Sequence, residues 1–167
     1  MVGVDVNPLN LKENRGVVDT WLKLDNVTIM EGPTEELSKD EVGTAFDGVF
    51  FSPPYYDREL YKGGTQSYKT FHTYDLWLQG FYLPVFKLCY DILQQEGKMA
   101  IVVSNQKVGK QVYTLVEDTQ RLAQCAGFTL VDTHTMTFNG CRQAQAIKRN
   151  DVYVCKINRI YSYEQLT

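Results

Sequence analysis

The sequence predicts an α/β fold: a doubly wound, mostly parallel sheet closed by an antiparallel hairpin at its C-terminal end. Three observations predict it. Short apolar strands and amphipathic helices alternate four times along the 167 residues, the pattern of stacked βαβ units. The run Lys98-Met99-Ala100-Ile101-Val102-Val103 is nearly continuous in apolar character, as in a parallel strand covered on both faces. The last two strands are joined by a turn-rich arm with no helical pattern, so they should pair antiparallel.

The elements follow from local chemistry. Val2-Gly3-Val4-Asp5-Val6 reads as a buried strand stopping at Asn7-Pro8, where Asn caps a helix and Pro fits its first position. That helix should turn Leu9, Leu11, Val17, Val18, Trp21 and Leu22 inward, with Gly16 its weak point. Val27-Thr28-Ile29-Met30 is the next strand, and Thr34-Glu35-Glu36-Leu37 opens a brief polar helix. The strand Gly48-Val49-Phe50-Phe51 comes next, then a loop from Asp57 to Phe71 holding Gly63-Gly64. Thr73 can cap a long helix bearing Leu76, Phe81, Leu83, Leu88, Cys89, Ile92 and Leu93, kinked at Pro84 and followed by Gly97. After the strand at Lys98–Val103, a helix from Val112 to Ala126 closes at Gly127, and Phe128–Phe138 and Val152–Ile157 are the final strands. A nucleotide-binding Rossmann domain would alternate in the same way, but its Gly-rich turn after the first strand is missing.

Composition narrows the functional classes. With 44% hydrophobic residues the chain can build one core, so residues 1–167 are read as a single domain. A net charge of −3 gives no global attraction to polyanions, and any nucleic-acid contact has to come from a local basic patch. Cys89, Cys125, Cys141 and Cys155 have no Cys-x-x-Cys spacing, and His72 and His134 have no metal-ligand partner at helical spacing. This fits a reducing, cytoplasmic setting with no structural metal. No apolar run reaches membrane-spanning length and the first residues do not resemble a secretory leader, so a soluble protein with no membrane partner is expected.

The most informative stretch is Ser52-Pro53-Pro54-Tyr55, directly after the strand at Gly48–Phe51. Each proline removes a backbone donor and fixes φ, so the chain can neither continue as strand nor turn at once into helix. A rigid loop results, presenting a hydroxyl, carbonyls without competing N–H groups and an aromatic face at the carboxyl end of a strand. Ligands bind at that edge of open α/β sheets. Such a cluster suits accepting hydrogen bonds from a planar –NH2 group while a ring stacks on its base or amide; the plain alternative is a stiff surface turn.

Phe46 to Asp57, followed by Gln66-Ser67 and an aromatic helix through Trp77, resembles the catalytic region of class I S-adenosylmethionine-dependent amino-methyltransferases acting on DNA. Those enzymes carry Ser, Asp or Asn before Pro-Pro-Tyr or Pro-Pro-Phe. The resemblance extends from Val2 to Ile157 and is most specific in the proline motif. It implies a Rossmann-like class I methyltransferase sheet, S-adenosyl-L-methionine as cofactor and small-molecule methyl donor, and DNA as partner. Asp5 then matches the acidic residue that accepts from the cofactor's ribose hydroxyls; otherwise it is a helix-entry carboxylate. Glu31 falls where the adenine is contacted, with Glu35 as a rival. Ser52, counted on the cofactor side as well, and the Pro53 carbonyl accept the two hydrogens of the target amino group, and Pro54 stiffens the loop. Tyr55 stacks on the flipped base and Tyr56 assists, unless Tyr56 is core packing. The other aromatic residues after the motif, from Tyr61 to Tyr82, read mostly as core or loop packing. Arg58, Lys62 and Lys69, with Arg142, Lys148 and Arg149 of the C-terminal arm, form a phosphate rim or else ordinary solvated charge.

The family's Gly-x-Gly cofactor turn has no counterpart, since it would precede Met1. The sequence therefore resembles a family member that starts at its second strand, with the absent first strand belonging between those matching Val2–Val6 and Gly48–Phe51. Its loss should bring those two together or leave a gap for a rearrangement or partner chain, a homo-oligomer among the options, because unpaired buried backbone groups cost about 1–3 kcal/mol each. Two other readings stand beside DNA methylation: the same chemistry on RNA or a protein glutamine, and a truncated, non-catalytic module for binding or oligomerisation.

Overall fold

The computed structural model describes residues 1–58, 65–134 and 156–163, the last of these as strand backbone. They pack as two compact units, Met1–Thr44 with Tyr56–Ile92, and Ala45–Tyr55 with Leu93–Thr167.

In the first unit, β1 (Val2–Asp5) and β2 (Thr28–Glu31) pair in parallel, with Asp5 opposite Glu31. Between them runs α1 (Pro8–Val17), entered as its sequence dictates: the Asn7 side chain accepts from the Leu9 N–H at 3.0 Å and Pro8 opens the first turn. The expected inward face is a correction. Of its residues only Leu11 is buried, whereas Leu9, Val17, Trp21 and Leu22 are exposed, Trp21 at 81%. Two paired strands of four residues are narrower than that face. The helix also widens into a π turn over Val18–Leu22, which rotates Trp21 and Leu22 off the original stripe, and ends at Lys23 in the left-handed region, φ 50°.

A 3-10 turn at Thr34–Glu36 matches the expected polar helix. It leads into α2 (Lys39–Val42), whose capping box went unread in the sequence. The Ser38 N–H and Oγ donate to Glu41 Oε2 at 2.9 and 2.7 Å, which holds the Glu41 carboxyl below its ordinary range.

The remaining helices are α3 (Ser67–Thr70), α4 (Tyr74–Trp77) and α5 (Leu83–Ile92). In place of one kinked helix, a π turn over Leu78–Tyr82 separates α4 from α5. Pro84 has no N–H and its ring crowds the carbonyl four residues back, and the wider turn upstream relieves both problems. Thr73 caps as expected, accepting from the Leu76 N–H at 3.2 Å, but Leu76 itself is exposed.

These helices carry the core of the unit. Tyr56, Tyr74, Trp77, Phe81, Tyr82 and Phe86 form a continuous aromatic column with neighbouring ring centroids 4.7 to 6.3 Å apart. Trp77 is fully buried and its Nε1–H donates to Ser67 Oγ at 2.9 Å. The Phe71 ring lies against the bare backbone of Gly80, where a Cβ would overlap it.

The second unit begins with β3 (Phe46–Phe51), paired in parallel with β4 (Leu93–Val103). The ladder touches at Phe46 and Leu93 and becomes regular at Gly48 and Lys98. In between, the chain turns through Glu96, φ 68°, and Gly97, whose added Cβ would sit 3.1 Å from the Phe46 carbonyl. Along β4, Met99, Ile101 and Val103 are buried, Ala100 and Val102 half-buried and Lys98 exposed, so burial alternates rather than being two-sided.

The helix expected from Val112 starts later, as α6 (Leu115–Cys125), because the preceding residues form a small hairpin of β5 (Gln106–Val108) and β6 (Gln111–Tyr113). β7 (Phe128–Asp132) and β8 (Lys156–Tyr163) pair antiparallel as expected, although β8 runs on to Tyr163 instead of ending at Ile157, and β8 is inserted next to β4 to give the order β3-β4-β8-β7. The expected extension of β7 to Phe138 and the arm at Asn139-Gly140 lie outside the described residues. Where the resemblance puts an absent strand, no ladder joins β1 to β3: among the described residues β1 pairs with β2 and β3 with β4. The overall class is the expected one, α/β with parallel pairs and a C-terminal antiparallel pair.

Two stability outcomes follow from the aromatic core. Gly80→Ala should destabilise by about 1–3 kcal/mol through overpacking against Phe71, despite the helix propensity gained. In urea melts Phe71→Leu should recover part of that loss; a Gly80→Ala protein more stable than wild type would contradict the packing. Tyr56→Phe, which deletes the hydroxyl that donates to the His72 carbonyl at 3.0 Å, should lower stability by about 1 kcal/mol in the same measurement.

Candidate active site

Two prolines stop β3, and the stop sets the geometry of Ser52. The last ladder pair is Phe51 opposite Ile101, so Ser52 emerges beside Val102. Its hydroxyl donates to the Val102 carbonyl at 3.2 Å while the residue stays exposed. With the proton directed into the sheet, the oxygen lone pairs are left for an incoming donor. Pro53 is buried, and Pro54 and Tyr55 are half-buried, so the loop is anchored by its first proline.

The adjoining end of β4 contributes residues that sequence reasoning did not single out. Asn105 Oδ1 accepts the Val116 N–H at 2.8 Å and fixes the start of α6. The Gln106 amide donates to the Ser104 Oγ and carbonyl at 2.6 and 3.2 Å, tying down the root of the β5–β6 hairpin. The signal for that hairpin was present: Gln-Lys-Val and Gln-Val-Tyr flank Gly109-Lys110, and Gly109 has φ 61°, as a two-residue turn with glycine first requires.

In the first unit, Asp5 and Glu31 lie side by side at the carboxyl ends of β1 and β2. Asp5 is half-buried; Oδ1 accepts the Asn7 N–H at 2.8 Å and Oδ2 accepts from Asn10 Nδ2 at 3.0 Å. Each oxygen keeps a further lone pair, so helix entry and ligand binding are compatible uses of one carboxylate. Glu31 is exposed. Glu35 is half-buried, and loss of solvent pushes its carboxyl above the ordinary value, opposed by a backbone hydrogen bond and assisted by the charge of Glu36.

Tyr56 requires a correction. It is 8% exposed, edge-on to Tyr68 and Tyr74 and tilted against Trp77, and its φ of 50° marks the sharp exit of the chain from the proline loop. A ring so enclosed offers no open face for stacking a base, so Tyr56 serves the scaffold. Arg58 is exposed, and Lys62 and Arg142 lie outside the described residues. Burial pushes the Cys89 thiol up to about 12, which makes it unreactive at neutral pH. Among the described residues, no group of three His, Cys, Asp or Glu could hold a metal ion, and no helix is long and apolar enough to cross a membrane.

No protein-family model matches the sequence, and no curated protein matches it. Solved structures do. A methyltransferase from Pyrococcus furiosus aligns with a TM-score of 0.59 at 14% identity, over 96% of this chain and 61% of that one. An rRNA methylase from Streptococcus thermophilus aligns with a TM-score of 0.54 at 14% identity, over 98% of this chain and 73% of that one. A protein provisionally assigned as a DNA modification methylase from Thermus thermophilus, complexed with S-adenosyl-L-methionine, aligns with a TM-score of 0.51 at 17% identity. That alignment covers 81% of this chain and 54% of the other, so this chain spans about half the length of that relative. Likeness at these identities is a likeness of fold, and the chain has the Rossmann-like α/β fold seen in methyltransferases.

Proposed function

We propose that this chain takes part in transfer of a methyl group from S-adenosyl-L-methionine to the exocyclic amino group of adenine or cytosine in DNA. The observation that carries the reading is the exposed Ser52 hydroxyl whose proton is held by the Val102 carbonyl. An oxygen so oriented accepts one amino hydrogen, and the Pro53 carbonyl, with no N–H on Pro54 beside it, accepts the other. Drawing both hydrogens out of the base plane localises the nitrogen lone pair for attack. The bound methyl donor supplies an activated methyl and its own leaving group. Catalysis by the protein is then positioning and matched polarity, with no covalent enzyme intermediate.

The other assignments follow the same division of labour. Tyr55 stacks on the base, a contact worth ~1–3 kcal/mol. Asp5 receives ribose hydroxyls on the lone pairs left by Asn7 and Asn10, and Glu31 receives the adenine amino group. Arg58, Lys62 and Arg142 contribute to phosphate binding. RNA or a protein glutamine amide could present the same –NH2 group to Ser52. A second reading is a non-catalytic module for binding or oligomerisation. Calorimetry with S-adenosylmethionine separates the two, since a binder is stabilised by its ligand and a remnant is not.

Labelled methyl transfer to unmethylated DNA tests the first reading. Ser52→Ala should lower the rate by about 100-fold, the scale for losing one aligned hydrogen-bonding group at the reacting centre, and Ser52→Asn, which keeps an acceptor, should lower it less. Equal rates for wild type and Ser52→Ala would remove Ser52 from the chemistry.

The choice of Glu31 over Glu35 has a pH signature. Because the folded pKa of Glu35 is raised, its charged form costs stability, and that cost sets in as pH rises from the ordinary carboxyl value through the raised one. Glu35→Gln should therefore stabilise the protein at neutral pH, with the gain fading in thermal melts as the pH falls below that window. Cofactor binding should survive Glu35→Gln and weaken with Glu31→Gln.

A further inference from the structure

The β5–β6 hairpin is unexplained by the methyl-transfer chemistry. It grows from the carboxyl end of β4, starting three residues past the last strand residue, Val103, and at the same end of the β3–β4 pair as Ser52. Cross-strand partners share a face, and the pairs here are Gln106 with Tyr113, Lys107 with Val112, and Val108 with Gln111. One face therefore holds Gln106, Tyr113 and Val108, all buried or half-buried, with Gln111 exposed at its outer end. The opposite face carries Lys107 and Val112, both exposed, and Lys110 stands at the tip beside Gly109.

The hairpin is cationic in a chain that is acidic overall. Residues 104–116 contain Lys107 and Lys110 but no Asp or Glu, against a net charge of −3 for the whole sequence. The next acids, Glu117 and Asp118, belong to the first turn of α6, and Asp118 is paired with Arg121 at 2.8 Å. Among the described residues neither Lys107 nor Lys110 is in an ion pair. Strands of three residues make a projection about 10 Å long, enough to span several phosphates at about 3.4 Å per nucleotide.

We infer that the β5–β6 hairpin is a DNA-backbone arm: Lys107 and Lys110 pair with phosphates flanking the base presented to Ser52, and Val112 packs against the sugar between them. The inference rests on the proposed DNA methylation and adds the element that holds the polyanion on an acidic protein. Its contacts are sequence-independent, so they set register and affinity rather than the base chosen.

The test is fluorescence anisotropy of the full-length chain with a labelled DNA duplex across a series of salt concentrations. Each phosphate contact adds about 0.9 to the slope of log K against log salt, so Lys107→Gln with Lys110→Gln should reduce it by about 2. The charge-matched control, Lys12→Gln with Lys87→Gln on exposed helix positions, should leave the slope at the wild-type value. Equal slopes for wild type and the hairpin variant, or equal reductions by the hairpin and control pairs, would overturn the arm and leave the methylation reading standing. Wild type that neither binds nor methylates the duplex would overturn both, and binding of a matched RNA but not DNA would overturn the DNA assignment. Circular dichroism of the hairpin variant should match wild type, since both substituted side chains are exposed.

Discussion

Everything at the candidate active site depends on where the parallel β3–β4 ladder is forced to end. Pro53 and Pro54 can donate no ladder hydrogen bond, so pairing stops at Phe51 opposite Ile101 and Ser52 falls beside the next carbonyl of β4. One hydrogen bond, Ser52 Oγ to Val102 O at 3.2 Å, then fixes the polarity of the site. A one-residue slip of β3 against β4 would turn Ser52 to the other face of the sheet. A shorter ladder would take the hydroxyl away from the carbonyl that holds its proton. The proline pair thus sets where the ladder ends as well as stiffening the loop.

Legibility in the sequence followed the range of the interactions. Local ones were readable: the Asn7-Pro8 helix entry, the Thr73 cap and the proline stop all depend on neighbours within a few residues. Misreadings occurred where one element's fate is decided elsewhere. The apolar stripe of α1 has the spacing of a buried face, but the paired strands next to it are too few and too short to cover Leu9 or Trp21. The start of α6 was placed too early because Val112 and Leu115 share helical spacing, while Gly109 and the Asn105 side chain settle the segment as hairpin followed by helix. The helix-entry role of Asp5 is equally local, since its carboxylate takes the Asn7 N–H and the Asn10 amide.

Aromatic residues show the same division. Their density after the proline motif suggested both stacking and packing, and composition alone could not allot Tyr55 and Tyr56 between these roles. For Tyr56 the structure shows packing, and one backbone angle puts it there. Tyr56 takes up the left-handed turn at φ 50°, its ring enters the column around Trp77 and its hydroxyl is tied to the His72 carbonyl. An L residue held there is strained, and burial of a large ring with a satisfied hydroxyl offsets the strain. Adjacent tyrosines thus divide the work, Tyr56 anchoring the exit of the loop and Tyr55 remaining half-buried within it.

The first unit raises a different question: how a two-stranded sheet, marginal by itself, presents a well-placed carboxylate. The answer lies in the hydrogen bonds around Asp5. Its two oxygens take the Asn7 N–H and the Asn10 amide, Asn7 in turn caps α1, and the Asp5 carbonyl accepts the Gly32 N–H at 3.1 Å across to the end of β2. Strand end, helix start and neighbouring strand are therefore locked to one residue, so the rotamer of Asp5 is fixed before any ligand arrives. Preorganisation of that kind lowers the ordering cost of binding. The hydrogen bonds that make Asp5 structural also leave a further lone pair on each of its oxygens.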